Sequence, residues 1–210
     1  MYQPSSFREE RLEVLHALIR AHPLGTLITA GPGGLIANLV PFTLVDGGDR
    51  GTLRAHVARA NDQVEPLRAG AETLVLFQGP EAYITPSWYP VKKEHGRVVP
   101  TWNYVVVQAR GKPRVIEDPA WLRAQLSELT SRQEAPRPDP WKIADAPEEY
   151  IEAQIKAIIG IEIPILKIEG KWKVSQNRSA ADRQGVCQGL REDGGNEAMA
   201  RLVGGSPIAP

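Results

Sequence analysis

Apolar residues along this chain recur at two periods, and the alternation between them sketches a fold. Leu12, Leu15, Leu18 and Ile19 fall at helical spacing behind Ser6 to Glu9, an S-x-x-E stretch of the capping-box kind. They predict a first helix over residues 7–21, stopping before His22-Pro23. Two β-prone runs follow, Thr26 to Ala30 and Leu35 to Phe42, around Gly31-Pro32-Gly33-Gly34, and read as a hairpin. Asp46-Gly47-Gly48-Asp49 marks a second turn before the run from Gly51 to Val57. Thr73 to Gln78 and Ala82 to Ile84 extend the series as two further short strands, so the first half predicts an antiparallel sheet or barrel.

Asn103 to Ile116 reads as one long barrel strand, bent or bulged where Gly111 and Pro113 stand. Asp118-Pro119 opens a helix with Leu122, Leu126 and Leu129 along one face, and the three prolines of Ala135 to Pro140 end it. Beyond them, Asp145 to Glu148 reads as the cap of a helix carrying Tyr150, Ile151, Ile155, Ile158 and Ile159, and Ile161 to Gly170 as an apolar strand. Ser179 to Asp182 is a further cap, with Val186 and Leu190 on the buried face. The Gly-rich segment from Gly194 is expected to fray. The pattern gives a mainly β fold with peripheral helices (α+β): a core over residues 1–134, a C-terminal helix-strand-helix part over 141–193 packed on it, and a flexible tail over 194–210.

Composition narrows the function classes. Twenty-five basic and 25 acidic residues give a formal net charge of zero, which argues against a broad face built to neutralise phosphates. Cys187 is the single cysteine, so no intrachain disulfide is possible and zinc or iron-sulfur spacing is missing. With no signal-like N-terminus and no bilayer-length apolar run, the expected location is cytoplasmic, away from membranes. No GxGxxG, P-loop or nucleophile elbow occurs, so any nucleotide is held without those devices and any chemistry rests with a cofactor.

Three clusters carry candidate chemistry. Leu53 to Asn61 puts His56, Arg59 and Asn61 at a strand end, where a guanidinium fork suits a phosphate; a plain polar strand end paired to Asp62 or Glu65 stays open. Ala82 to Val107 gathers Tyr83, Trp88, Tyr89, Trp102 and Tyr104, five of the 13 aromatics, among prolines and polar residues. That mixture suits a flat heterocycle, a subunit interface or the filled end of a barrel. Gly170 to Arg178, with Lys171, Trp172, Lys173, Gln176 and Asn177, is a ligand cover or a solvated turn.

Taken in order, MYQPSSF, AHPLGTLIT, LIANLVPF, GTLRAHVARAN, LVLFQGPEAYITPSWYPVKK, VPTWNYVVVQARGKPRVIEDPAWL, DAPEEYIEAQIKAIIGIEIPI and KWKVSQNRSAADRQGV resemble the PaiB family of FMN-binding negative transcriptional regulators across nearly the whole chain. Val64 and Gln133 depart from that pattern, standing where tryptophan and histidine are common. The resemblance implies a split β-barrel of the pyridoxamine-phosphate-oxidase-like type, with FMN held between the subunits of a homodimer. It implies phosphate contacts from His56, Ala58, Arg59 and Asn61, and phosphate or ribityl contacts from Thr101 and Asn103. Asn38, Pro41, Gln78 and Tyr83 would lie near the isoalloxazine ring, Trp88, Lys92 and Trp102 would come from the partner subunit, and Lys173, Gln176 and Asn177 would cover the site. A regulator meeting DNA or a protein partner is the expected role; an FMN-dependent oxidoreductase acting on a small planar substrate is the alternative.

Overall fold

The structure, a computed structural model, describes residues 1–208. In chain order the elements are β1 (Arg8–Glu9), α1 (Leu12–Ala21), β2 (Leu24–Gly31), β3 (Gly34–Pro41), β4 (Thr43–Val45), β5 (Thr52–Ala58), α2 (Val64–Arg68), β6 (Thr73–Ile84), α3 (Lys92–His95), β7 (Thr101–Gly111), β8 (Arg114–Ile116), α4 (Pro119–Glu134), α5 (Glu148–Lys156), β9 (Ile158–Pro164), β10 (Lys167–Lys173), α6 (Ala180–Glu192) and α7 (Glu197–Val203). They fall into two compact units that interleave along the chain: Met1–His22 with Phe77–Gln108 and Glu169–Pro210, and Pro23–Leu76 with Ala109–Ile168.

In the second of these units, β2 and β3 form the hairpin read from the glycine cluster, with Leu27 opposite Asn38 and Gly31 opposite Gly34. β2 also pairs with the start of β6, Leu27 opposite Val75. A four-stranded antiparallel sheet runs β4-β5-β9-β8. On β5, Leu53, Ala55 and Val57 are buried, while Arg54 and His56 point the other way, as the period-two pleat requires. α4 covers that second face: Arg54 lies 5.7 Å over the Trp121 ring, and His56 meets Gln125. Asp118 caps α4 as expected, its carboxylate accepting from the Ala120 N–H at 3.0 Å.

In the first unit the strand order is β1-β10-β7-β6, with α1 laid on the sheet through Leu15, Leu18 and Ile19. Gly79 makes the close approach possible, since a Cβ there would sit 2.6 Å from both Leu18 Cδ1 and Val105 Cγ2.

Several boundaries differ from the sequence expectation. Ser5–Phe7 is a 3₁₀ turn and Arg8–Glu9 pairs with Lys171 and Gly170, so α1 begins at Leu12 without a capping box. The carboxylate of Glu9 is occupied instead by the N–H of Arg11 and its guanidinium. Thr73 to Ile84 is one continuous strand, because Gly79-Pro80 stays extended. The long strand ends at Gly111, and beyond Pro113, which has no N–H to give a ladder, β8 pairs with β9. Asp145 caps the 3₁₀ turn Ile143–Asp145 through the Lys142 N–H, not α5. Ile158 and Ile159 open β9, and the apolar stretch up to Gly170 is two strands. The tail is not frayed throughout: Glu197–Val203 is helical, capped by Asn196 and anchored by fully buried Met199 and Ala200. Residues 194–196 and 204–208 on either side of it lie outside helix and strand, and residues 209–210 lie outside the described residues.

Candidate functional site

Within the second unit, Asn38, Asn61 and Gln63 form one network. The Gln63 side chain is completely buried. Its Nε2 donates to Leu27 O at 2.9 Å, Thr29 Oγ1 at 3.2 Å and Ile36 O at 3.2 Å, while its Oε1 accepts from Asn38 Nδ2 at 3.0 Å. Asn61 Oδ1 accepts from the Gln63 N–H at 2.8 Å, an Asx turn that ends the β5 loop, and lies 3.5 Å from Asn38 Nδ2. Pro41 is half-buried at the end of β3 and Ala58 is exposed.

His56 Nδ1 lies 2.9 Å from Gln125 Oε1, and Gln125, 3% exposed, keeps an Nε2 with no hydrogen-bond partner. Arg59 is more heavily engaged than a free phosphate ligand would be. Three of its five N–H groups are spent: Nη1 on Glu117 Oε2 at 2.7 Å, Nε on Lys156 O and Nη2 on Ile158 O, both at 3.2 Å. Glu117 is shared with Arg68 at 2.6 Å, and its hydrogen bond to Arg59 holds its carboxyl below the usual carboxylate range. Neither Asp62 nor Glu65 pairs with Arg59; the partner is Glu117.

Within the first unit, period-two alternation divides β7. Asn103 is buried on one face, whereas Trp102 and Tyr104 lie on the other, beside a cavity of about 300 Å³ lined also by Gln78, Glu81 and Val106. Tyr83 meets Trp102 edge to face with centroids 5.9 Å apart, both rings being roughly half exposed. Gln78 Nε2 donates to Glu81 at 2.6 Å. Lys173 Nζ donates to Thr101 Oγ1 and, at 2.7 Å, to Trp102 O. Burial lowers the Lys173 ammonium's pKa, with Lys171 and Arg178 pushing the same way and Tyr104 opposing. Lys171 is itself buried, its ammonium 5.4 Å from the Tyr2 ring centroid and 5.3 Å from that of Tyr104.

Asn103 Nδ2 donates to Ser175 Oγ at 2.9 Å, and Ser175 holds φ = 63°, a left-handed conformation uncommon outside glycine. Gln176 closes this turn on itself, its Oε1 accepting from the Val174 N–H and its Nε2 donating to Trp172 O. Asn103 and Gln176 thus shape the turn after β10, and Asn177 stands exposed on it. Trp88 and Lys92 lie elsewhere in this unit: Trp88 Nε1 donates to Asp193 at 2.9 Å with the ring against Gly189 of α6, and Lys92 reaches Ser87 at 3.3 Å.

Sequence reasoning missed Gln63, Gln125 and Glu117. A buried glutamine leaves no periodic mark, and Glu117 is distant in sequence from the arginines it joins. Each unit taken by itself carries groups that suit FMN chemically. Polar groups with an unpaired buried amide surround His56, a lysine-rich strand end adjoins Thr101, and half-exposed rings border a cavity.

Antiparallel sheets of this order with peripheral helices define a split-barrel fold, and solved structures agree on it. A conserved hypothetical protein from Mycobacterium tuberculosis matches at a TM-score of 0.58 and 14% identity, over 84% of this chain and 92% of that one. A Mycobacterium smegmatis protein described as an "FAD and Heme binding protein" matches at 0.58 and 18%, over 79% and 73%. The chain belongs to the family described as "Putative FMN-binding domain", which matches residues 1–167, and FMN is its cofactor. Among its relatives, "Protease synthase and sporulation protein PAI 2" of Bacillus subtilis is 31% identical over 205 residues, 97% of this chain and 96% of the relative. An uncharacterized protein of Emericella nidulans is 37% identical over 241 residues, 97% of this chain and 96% of the relative.

Proposed function

We propose that this protein is an FMN-binding negative transcriptional regulator of the PaiB type, acting as a cytoplasmic homodimer with FMN at the subunit interface. The observation that carries the reading is the half-exposed Tyr83–Trp102 pair beside the 300 Å³ cavity. Two rings that a lone chain leaves in water are suited to covering a planar ligand or a second subunit. In the dimer, Trp102 of one copy would face the ring of a flavin whose phosphate the other copy receives near His56, Ala58, Arg59 and Asn61. Asn38 and Pro41 border that ring, together with Gln78 and Tyr83. Thr101 and Lys173 supply polar contacts, and Asn103, Gln176 and Asn177 hold or form the covering turn. Trp88 and Lys92 are proposed as partner-facing residues, although Trp88 is tied to Asp193 within its own chain.

Bound FMN would supply redox and spectral sensitivity, and this chain's residues orient and shield it. Net neutrality favours regulation through a small positive patch or a protein partner over wide phosphate contact. The purified full chain is expected to be yellow or to take up FMN, to have twice the chain mass by light scattering, and to shift specific genomic fragments at physiological salt. A monomer that binds FMN would remove the interface. NAD(P)H turnover without any specific shift would remove the regulator in favour of an oxidoreductase.

A further inference from the structure

We infer that Gln63 acts through Asn38 as a hydrogen-bond polarity filter: Asn38 presents only an acceptor, its Oδ1, so the ring edge it meets must carry an N–H. The argument starts from groups whose roles cannot be exchanged. Leu27 O and Ile36 O are carbonyl oxygens and can only accept. Both lie within 3.2 Å of the same terminal atom of the Gln63 amide, so that atom is the NH₂ and the opposite atom is the oxygen. That oxygen faces Asn38 at 3.0 Å, which makes the Asn38 atom there its own NH₂. A second constraint agrees. Asn61 Oδ1 accepts from the Gln63 backbone N–H at 2.8 Å, so it too is an acceptor, and it also faces Asn38 Nδ2.

Turning the Asn38 amide over would set its oxygen against two acceptors. Turning Gln63 over would set its oxygen against two buried carbonyls. Each flip leaves buried polar groups unmatched, at a cost sufficient to exclude it. Among the described residues Asn38 Oδ1 has no hydrogen-bond partner, and it is not sealed away from solvent, so it is open to a ligand.

The inference rests on the proposed reading that Asn38 borders the flavin ring. Oxidised isoalloxazine has a single ring N–H, at N3, flanked by two carbonyls, so Asn38 would read N3–H and turn away a ring that offers only acceptors at that position. Gln63 is a positioning residue in this scheme.

Titration of the full chain with FMN and with 3-methyl-FMN, followed by flavin fluorescence, tests it. FMN is expected to bind at least about tenfold more tightly than the methylated analogue, the usual scale for losing one buried hydrogen bond and leaving its acceptor unpaired. Asn38→Ala should remove the preference while folding normally. Asn38→Asp, which keeps the acceptor, should keep the preference, with weaker binding because its other oxygen faces Gln63 Oε1. Gln63→Met, checked for folding by circular dichroism, should reduce the preference by freeing the Asn38 amide to turn. Equal affinity of the wild type for the two flavins, or a preference that survives Asn38→Ala, overturns the inference while leaving FMN binding intact. Failure to bind either flavin overturns the proposed function instead.

Discussion

Arg59 shows how much a side chain's surroundings decide what it can do. Its fork of donors made it a candidate phosphate ligand in the sequence, beside the reading of a plain polar strand end; the structure adds that three of its five N–H groups are taken by Glu117 and two carbonyls. Arg59→Ala is expected to lower FMN affinity by about 1.5–3 kcal/mol, read by fluorescence titration, if a phosphate uses the remaining N–H groups. Glu117→Gln should raise affinity instead, because a carboxylate no longer competes for the guanidinium. Weaker binding in Glu117→Gln would mean that Glu117 holds Arg59 in its binding posture.

Trp88 makes a different point at the same scale. A Cβ on Gly189 would overlap the Trp88 ring, so Gly189→Ala should cost roughly 1–3 kcal/mol of stability by urea denaturation and redshift tryptophan emission as the ring is displaced. None of this was legible in the sequence, where Trp88 stands 105 positions before Asp193 and neither glycine nor aspartate carries a periodic signal.

Among the elements, those with a strong hydrophobic period or a side-chain cap were legible, and the losses have physical causes. The hairpin, α4 with its Asp118 cap and α6 with its Ser179 cap came through because their signals are local. The first capping box failed because Glu9 is drawn to Arg11 and its backbone to β10. α7 was hidden by the glycines before it, although Asn196 caps it through the Met199 N–H at 3.0 Å. Asn196→Ala should therefore cost about 1 kcal/mol, and Met199→Ala about 2–5 kcal/mol, with the segment after Gly195 becoming protease-sensitive. If truncation at Gly195 leaves the melting temperature unchanged, the helix contributes nothing to the fold.

At the scale of the molecule, pH and charge give global readouts. Burial lowers the pKa of His22 below its ordinary 6.5, so the folded chain binds that proton less readily than the unfolded one. Stability should be full above pH 6.5 and fall as pH drops through 6.5 toward the folded value, and His22→Gln should flatten that part of a melting-temperature profile. A profile unaltered by the substitution would assign the dependence to other groups. No helix among the described residues is long and apolar enough to cross a membrane. The fold class and family were legible because many short stretches occur in one order. Orientation within the site was not, since it depends on buried amides such as those of Gln63 and Gln125.

The bridge of Glu117 between Arg59 and Arg68 means that the chain ships with its own counter-ion. Chloride, sulfate or free phosphate arriving alone at Arg59 would have to compete with a tethered carboxylate whose local concentration never falls. A ligand bringing a large ring and a sugar chain can recover that expense elsewhere on its surface. On the proposed reading that Arg59 receives the phosphate, a stopper of this kind would favour whole nucleotides over the bare anions of the surroundings.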